Sequence, residues 1–212
     1  MLDVSMRVYL VTDRKLVRHG GGLVEAVEKA LKGGVRLVQL REKDLTGREL
    51  LELACELRRL TERYEARLLV NDRLDVALLS RADGVHLGRG SFSPSQARAH
   101  LHEDALIGVS THSVDEAVEA RAQGADFVTL GPIYHTPSKA AYGEPLGTAV
   151  LAQARRLVGI PVFAIGGVKP ENAADVIAAG ADGVAVISAV LAGDDMERSA
   201  AALVEAVKGQ GG

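Results

Sequence analysis

Three scarcities constrain this 212-residue chain before any motif is read: one cysteine, no tryptophan, and only 3% aromatic residues. A single thiol cannot close a disulfide or build a cysteine-rich metal site within one chain. Cys55 falls in an apolar helical pattern and reads as a reduced, packed residue. Charge of one sign is scarce as well. The formal net charge is −3 with no basic run, so the positive stripe that a nucleic-acid backbone requires is missing. No apolar stretch approaches the roughly 18–20 residues of a membrane-spanning helix. The opening "MLDVSMRVYLVTD" has no charged head, long apolar middle or small-residue cleavage site, so a cytoplasmic protein without a secretory leader is expected. Neither a linker nor a low-complexity segment divides the chain, and one domain over 1–212 is expected.

What is present is a hydrophobic fraction of 47%, dealt out in short runs. "RVYLVTD", "VRLVQLR", "ARLLVND", "DGVHLG", "LIGVSTH", "DFVTLGP", "PVFAIGG" and "DGVAVIS" are rich in β-branched residues and nearly continuous in apolar character. That is the signature of strands covered on both faces. Helical patterns separate them, among them "GLVEAVEKALKGG", "GRELLELACELRRLTERY" and "MERSAAALVEAVKG". Shorter helices are expected after Asp72 and Ser93. Ser113 and Pro170 suit helix starts. Gly33, Gly124 and Gly180 suit helix ends in the left-handed conformation. Eight β-α units in a chain of this length predict an α/β fold, a (β/α)8 TIM barrel. An open doubly wound sheet usually has fewer strands and a visible dinucleotide loop.

In such a barrel the reactive residues gather where the strands end and the following loops begin. That rule sorts the polar residues. "VQLREKD" changes character along its length: Gln39, Arg41 and Lys43 share one strand face, where a buried strand should be apolar. Lys139, in the long sixth loop "HTPSKAAYGEPLG", adds a third cation, with Thr136 and Ser138 beside it. A lone loop lysine is usually a solvated charge, but three cations around one mouth suit a ligand with more than one phosphate. At the ends of the last two strands, Gly166, Gly167 and Ser188 can supply backbone N–H groups and a hydroxyl to a phosphate. The plainer reading of the glycines is a tight turn. Asn71 and Asp72 end the third strand; the acid either orients an arginine or holds Mg²⁺ against a diphosphate. Among the histidines, His112 and His135 are placed for proton chemistry at the mouth, whereas packing inside the barrel is expected of His86.

Taken together, "QLREK", "ND", "DGVHLG", "GVSTHS", "GPIYHTPSK", "AIGG" and "VIS" resemble the thiamine phosphate synthase and thiazole tautomerase superfamily, in order and in approximate spacing, over essentially the whole chain. The resemblance implies a synthase joining a pyrimidine-methyl diphosphate to a thiazole phosphate. Gln39, Arg41 and Lys43 would face the diphosphate and pyrimidine, with Asn71 and Lys139 also on the diphosphate. Thr136 and Ser138 would contact the thiazole side or the leaving group. Gly167, Ile187 and Ser188 would hold the thiazole phosphate, and Ser110 would lie near the reacting pyrimidine. The implied partners are small phosphorylated substrates, with no nucleic acid and no membrane; a homo-oligomer is compatible with the sequence.

Two departures keep a second activity open. The synthase pattern implies a second Mg²⁺-binding Asp where this chain has Ser91, leaving Asp72 as the remaining protein ligand. The adjoining "GSFSP" is closer to the tautomerase branch, in which His112 or His135 would move the proton and no metal would be obligatory. Against that branch, its expected catalytic His after the sixth-strand glycine is replaced by Pro132, and its usual "NG" is "ND". A non-catalytic ligand-binding or regulatory barrel is the third reading.

Overall fold

A computed structural model describes residues 4–18, 21–136 and 144–208. Eight short strands, β1 (Val8–Val11), β2 (Leu37–Leu40), β3 (Arg67–Asn71), β4 (Gly84–Leu87), β5 (Leu106–Thr111), β6 (Phe127–Leu130), β7 (Val162–Ile165) and β8 (Gly183–Val186), are joined in sequence order, all parallel. β8 pairs back onto β1 through Val8–Val184 and Leu10–Val186, which closes the barrel. The helices between strands are α1 (Leu23–Lys32), α2 (Gly47–Arg63), α3 (Leu74–Ser80), α4 (Pro94–Arg98), α5 (Val114–Ala122), α6 (Ala149–Leu157) and α7 (Pro170–Ala178). After β8 come α8 (Ser188–Leu191) and α9 (Met196–Val207). Among the described residues no helix is long and apolar enough to cross a membrane.

The strand period explains how one continuous apolar run serves two cores. Tyr9, Leu37, Leu69, Phe127 and Phe163 point inward and form one buried cluster. Their neighbours Leu10, Val38, Leu68, Val128 and Val184 point outward into a second cluster, beneath the helices. Complete burial of each such side chain contributes about 1.5–3 kcal/mol. The interior can hold its large rings because the facing positions are small. A side chain on Gly108 would collide with the Phe127 ring and come 2.6 Å from His86 Nδ1; one on Gly183 would come 2.5 Å from Phe163.

Local signals set the helix ends. Thr46 and Glu49 close a reciprocal cap on α2, Ser113 Oγ accepts from the Glu116 amide to start α5, and Pro170 opens α7. Gly124 and Gly180 take positive φ as expected, at 95° and 119°. Gly33 does not. Its φ is −70°, and Gly34 carries the left-handed turn at 98°. Gly33 is needed for space instead, because a β-carbon there would meet the Glu197 carbonyl and lie 2.7 Å from Ala200 Cβ as α9 crosses α1. The eighth strand is also shorter than its apolar run: it ends at Val186, and Ser188 begins the turn of helix α8 rather than closing the strand.

Candidate active site

Parallel closure brings every strand's C-terminal end to one mouth, and there a cleft of about 540 Å³ opens over β5 to β8. Eight of the residues expected from the sequence line it: Ser110, His112, His135, Thr136, Gly166, Gly167, Ile187 and Ser188. Gly166 and Gly167 have φ of 97° and 68°, a conformation that costs an L-residue strain. Side chains there would also press to 2.7 Å from Pro132 Cβ and 2.6 Å from Tyr134 Cβ. The glycine pair thus lets the seventh loop lie against the sixth and turns bare backbone toward the cleft. His112 sits at the rim with its amide donating to Glu116 Oε2 at 2.7 Å and its ring Nδ1 3.4 Å from the same oxygen. Ser138 and Lys139 lie outside the described residues.

The opposite half of the mouth carries charge. Arg41 and Lys43 follow β2, and among the described residues neither side chain takes part in a hydrogen bond or ion pair. Arg14, by contrast, is fully engaged. Its NH1 reaches Glu42 Oε2 at 3.1 Å and Asp44 Oδ1 at 2.6 Å, and its amide donates to Glu42 as well. Glu42 and Asp44 therefore serve the loop after β1, while the alternating cations are left for something else. Sequence reasoning missed this use of Glu42, although its position between two cations placed it on the other side of the chain.

Asp72 directly follows β3 with φ 59°. Its Oδ1 accepts from the Gly88 amide at 2.8 Å and its Oδ2 from Asn71 Nδ2 at 2.7 Å. The carboxylate ties β3 to the loop after β4, and each oxygen keeps a second lone pair. Ser91 is held in that same loop by its backbone N–H, which donates a hydrogen bond to the Gly88 carbonyl at 3.0 Å. Its Oγ is buried, with no hydrogen-bond partner among the described residues. An anionic oxygen with spare capacity and an orphaned neutral oxygen fit a hard cation that completes its shell with water and phosphate oxygens. Among the described residues there is no cluster of three or more acidic, His or Cys side chains.

Beneath the mouth lies a polar floor that the sequence did not announce. Gln39, only 2% exposed, does not line the cleft; its Nε2 donates to Tyr9 Oη at 2.9 Å. Tyr9 Oη stands 3.2 Å from His86 Nδ1, and His86 Nε2 is 3.0 Å from Ser110 Oγ. Burial pushes the His86 pKa down to about 3, against a smaller opposing effect of Asp72, with Arg41 also lowering it; the ring is neutral. Burial likewise holds the Tyr9 phenol well above its ordinary pKa. Tyr9 could have been suspected from an inward-facing position with a polar tip, but "VYLV" alone looks like core.

A family model described as thiamine monophosphate synthase matches residues 8–190. The chain belongs to that family. A relative from Geobacter sulfurreducens is 54% identical over 204 residues, covering 96% of this chain and 95% of its own. Thiamine-phosphate synthase of Clostridium novyi is 44% identical over 196 residues, 92% of this chain and 96% of its own. Among solved structures, thiamine phosphate pyrophosphorylase from Pyrococcus furiosus has 37% identity and a TM-score of 0.87, with 96% of each chain covered. The likeness to these thiamine phosphate synthases thus extends through both halves of the mouth.

Proposed function

We propose that this chain is a thiamine phosphate synthase, joining 4-amino-2-methyl-5-hydroxymethylpyrimidine diphosphate to 4-methyl-5-(hydroxyethyl)thiazole phosphate and releasing pyrophosphate. The observation that carries the reading is the pairing of Arg41 and Lys43, whose side chains have no partner among the described residues, with a glycine-walled cleft across one barrel mouth. Two phosphorylated substrates need two such sites. The names of the Clostridium and Pyrococcus relatives fall on the synthase side of the superfamily, not the tautomerase side.

The chemistry asks little of a base. The bond between the pyrimidine methylene carbon and the diphosphate oxygen breaks, and its electron pair leaves with pyrophosphate. The resulting cation is stabilised by the aminopyrimidine ring. The thiazole nitrogen then donates its lone pair to that carbon, and the positive charge passes to the thiazolium. Arg41 and Lys43 balance the charge that accumulates on the leaving group, and Asn71 and Lys139 are assigned to the same diphosphate. Gly166, Gly167, Ile187 and Ser188 hold the thiazole phosphate, and Thr136 and Ser138 meet the thiazole or the leaving group. Alignment of the two rings supplies much of the acceleration, because two bound reactants no longer have to find each other. Ser110 faces the reacting pyrimidine. Asp72 and Ser91 are the residues that would hold Mg²⁺, which supplies further positive charge against the diphosphate. Phosphorylated reactants of this size do not cross a bilayer unaided, so the enzyme belongs in the cytoplasm.

The test is one assay in two formats. Incubation with both phosphorylated substrates and Mg²⁺ yields thiamine phosphate and an equal amount of pyrophosphate. The separate thiazole tautomer is left unchanged. Isomerisation of the tautomer with no thiamine phosphate formed would reverse the assignment.

A further inference from the structure

The floor of the barrel carries three side chains behind Ser110 that no step of the reaction yet uses. Gln39 Nε2, Tyr9 Oη, His86 and Ser110 Oγ follow one another at 2.9, 3.2 and 3.0 Å. The first three residues are buried, Tyr9 completely, with its ring against Phe127 and Phe163 at 5.5 and 6.0 Å between centroids. Ser110 is the end that reaches the cleft.

Donor counting gives the chain a direction. An amide nitrogen donates only, so Tyr9 Oη accepts from Gln39. The phenol's own proton then needs an acceptor inside an enclosed space, and His86 Nδ1 stands next to it. A proton on Nδ1 would set two donors against each other and leave the phenol hydrogen buried without a partner, which is costly. Nδ1 is therefore the acceptor, and the ring proton sits on Nε2, facing Ser110 Oγ. Ser110 accepts from His86, and its own O–H is left to donate into the cleft. Turning the Gln39 amide over would reverse every bond in the series. Ser110 would then give its hydrogen to His86 and offer the cleft only lone pairs.

We propose that Gln39, Tyr9 and His86 are positioning residues that act as a one-way hydrogen-bond relay, holding the Ser110 hydroxyl as a donor toward the diphosphate oxygen that departs. The relay rests on the synthase reading for its substrate and on the barrel floor for its direction. No proton is transferred along it. As the carbon–oxygen bond breaks and the electron pair moves onto the leaving oxygen, the hydrogen bond from Ser110 strengthens. The upstream bonds polarise that hydroxyl in the same sense. The opposite orientation would aim lone pairs at the developing negative charge.

Direction is read without turnover. In protein labelled with ¹⁵N-histidine, a long-range ¹H–¹⁵N correlation spectrum distinguishes the two ring tautomers, and the His86 signals are identified by their loss in His86→Gln. The expected result is a neutral ring with its proton on Nε2. A proton on Nδ1, or on both nitrogens, overturns the relay whether or not the chain makes thiamine phosphate, so this outcome is separate from failure of the synthase assay. Function is read by a double-mutant cycle. Tyr9→Phe keeps the ring in its aromatic setting and should lower kcat roughly tenfold with little change in KM. In a Ser110→Ala background the same substitution should change nothing further. An equal loss in both backgrounds would make Tyr9 a packing residue and sink the proposal. Should Tyr9→Phe fail to fold, the wild-type tautomer still decides.

Discussion

Arg41 and Arg14 show how two side chains of one type acquire different jobs. Arg14 is held by Asp44 and Glu42, which push its pKa above the usual guanidinium value, so its charge is spent inside the protein. Among the described residues Arg41 is engaged only through its backbone, its amide donating to Thr12 Oγ1 at 2.8 Å. Arg41→Ala should therefore fold normally and weaken pyrophosphate binding by roughly 1.5–3 kcal/mol, the value of a charge-assisted hydrogen bond. Calorimetric titration with pyrophosphate checks this, and unchanged affinity would remove the cation from the site. Ser188 makes the complementary case. In Ser188→Asp a carboxylate beside the proposed phosphate adds like-charge repulsion, and titration of the folded variant should show no binding of thiazole phosphate. Normal affinity would place that phosphate elsewhere.

Among the elements, β5 links the core to the site. Its alternation sends Ile107 and Val109 toward the helices, while Gly108 and Ser110 lie opposite Phe127 and Thr129 of β6. The missing side chain at Gly108 is what lets Phe127 and His86 approach the strand. Gly108→Ala should cost about 1–3 kcal/mol by overpacking, measured as a lower midpoint in urea at unchanged slope. The aromatic floor has nowhere to move, being bounded by Tyr9 and Phe163. A variant of wild-type stability would mean that the barrel interior yields more readily than close packing permits.

For the molecule as a whole, the buried His86 predicts how stability follows pH. Its folded pKa of about 3 lies below the ordinary 6.5, so the unfolded chain takes up the proton first as pH falls. The stability tied to a neutral His86 is fully present above about pH 6.5 and is lost progressively toward pH 3, by up to about 1.4 kcal/mol per pH unit. The lowered carboxylates, such as Asp44 and Glu25, add to acid destabilisation only at lower pH. Denaturant unfolding between pH 6.5 and 5.5, above the range in which unfolded carboxylates take up protons, therefore isolates the histidine, and His86→Gln should flatten the slope in that window. An equally steep slope in the variant would assign the acid sensitivity to other groups.

Much of this protein could be read without coordinates because short-range physics governs it. Apolar runs covered on both faces, interrupted by amphipathic helices eight times over, leave few folds besides a closed parallel barrel. Strand ends then mark out the mouth, which is why Ser110, Thr136, Gly166, Gly167 and Ser188 could be named from their places in the chain. What depends on contacts across the barrel could not be read that way. Arg14 and Arg41 are equally plausible ligands until Glu42 and Asp44 are seen to claim one of them. Gly33 looks like a left-handed helix end until α9 is found crossing above it, where it ends α1 at negative φ and makes room. The donation of Gln39 to a tyrosine of the neighbouring strand is equally invisible, because residues 30 apart in sequence become adjacent only when β1 pairs with β2. Local pattern governs where each side chain is carried, but hydrogen-bond and charge partners are chosen among groups that only barrel closure brings together.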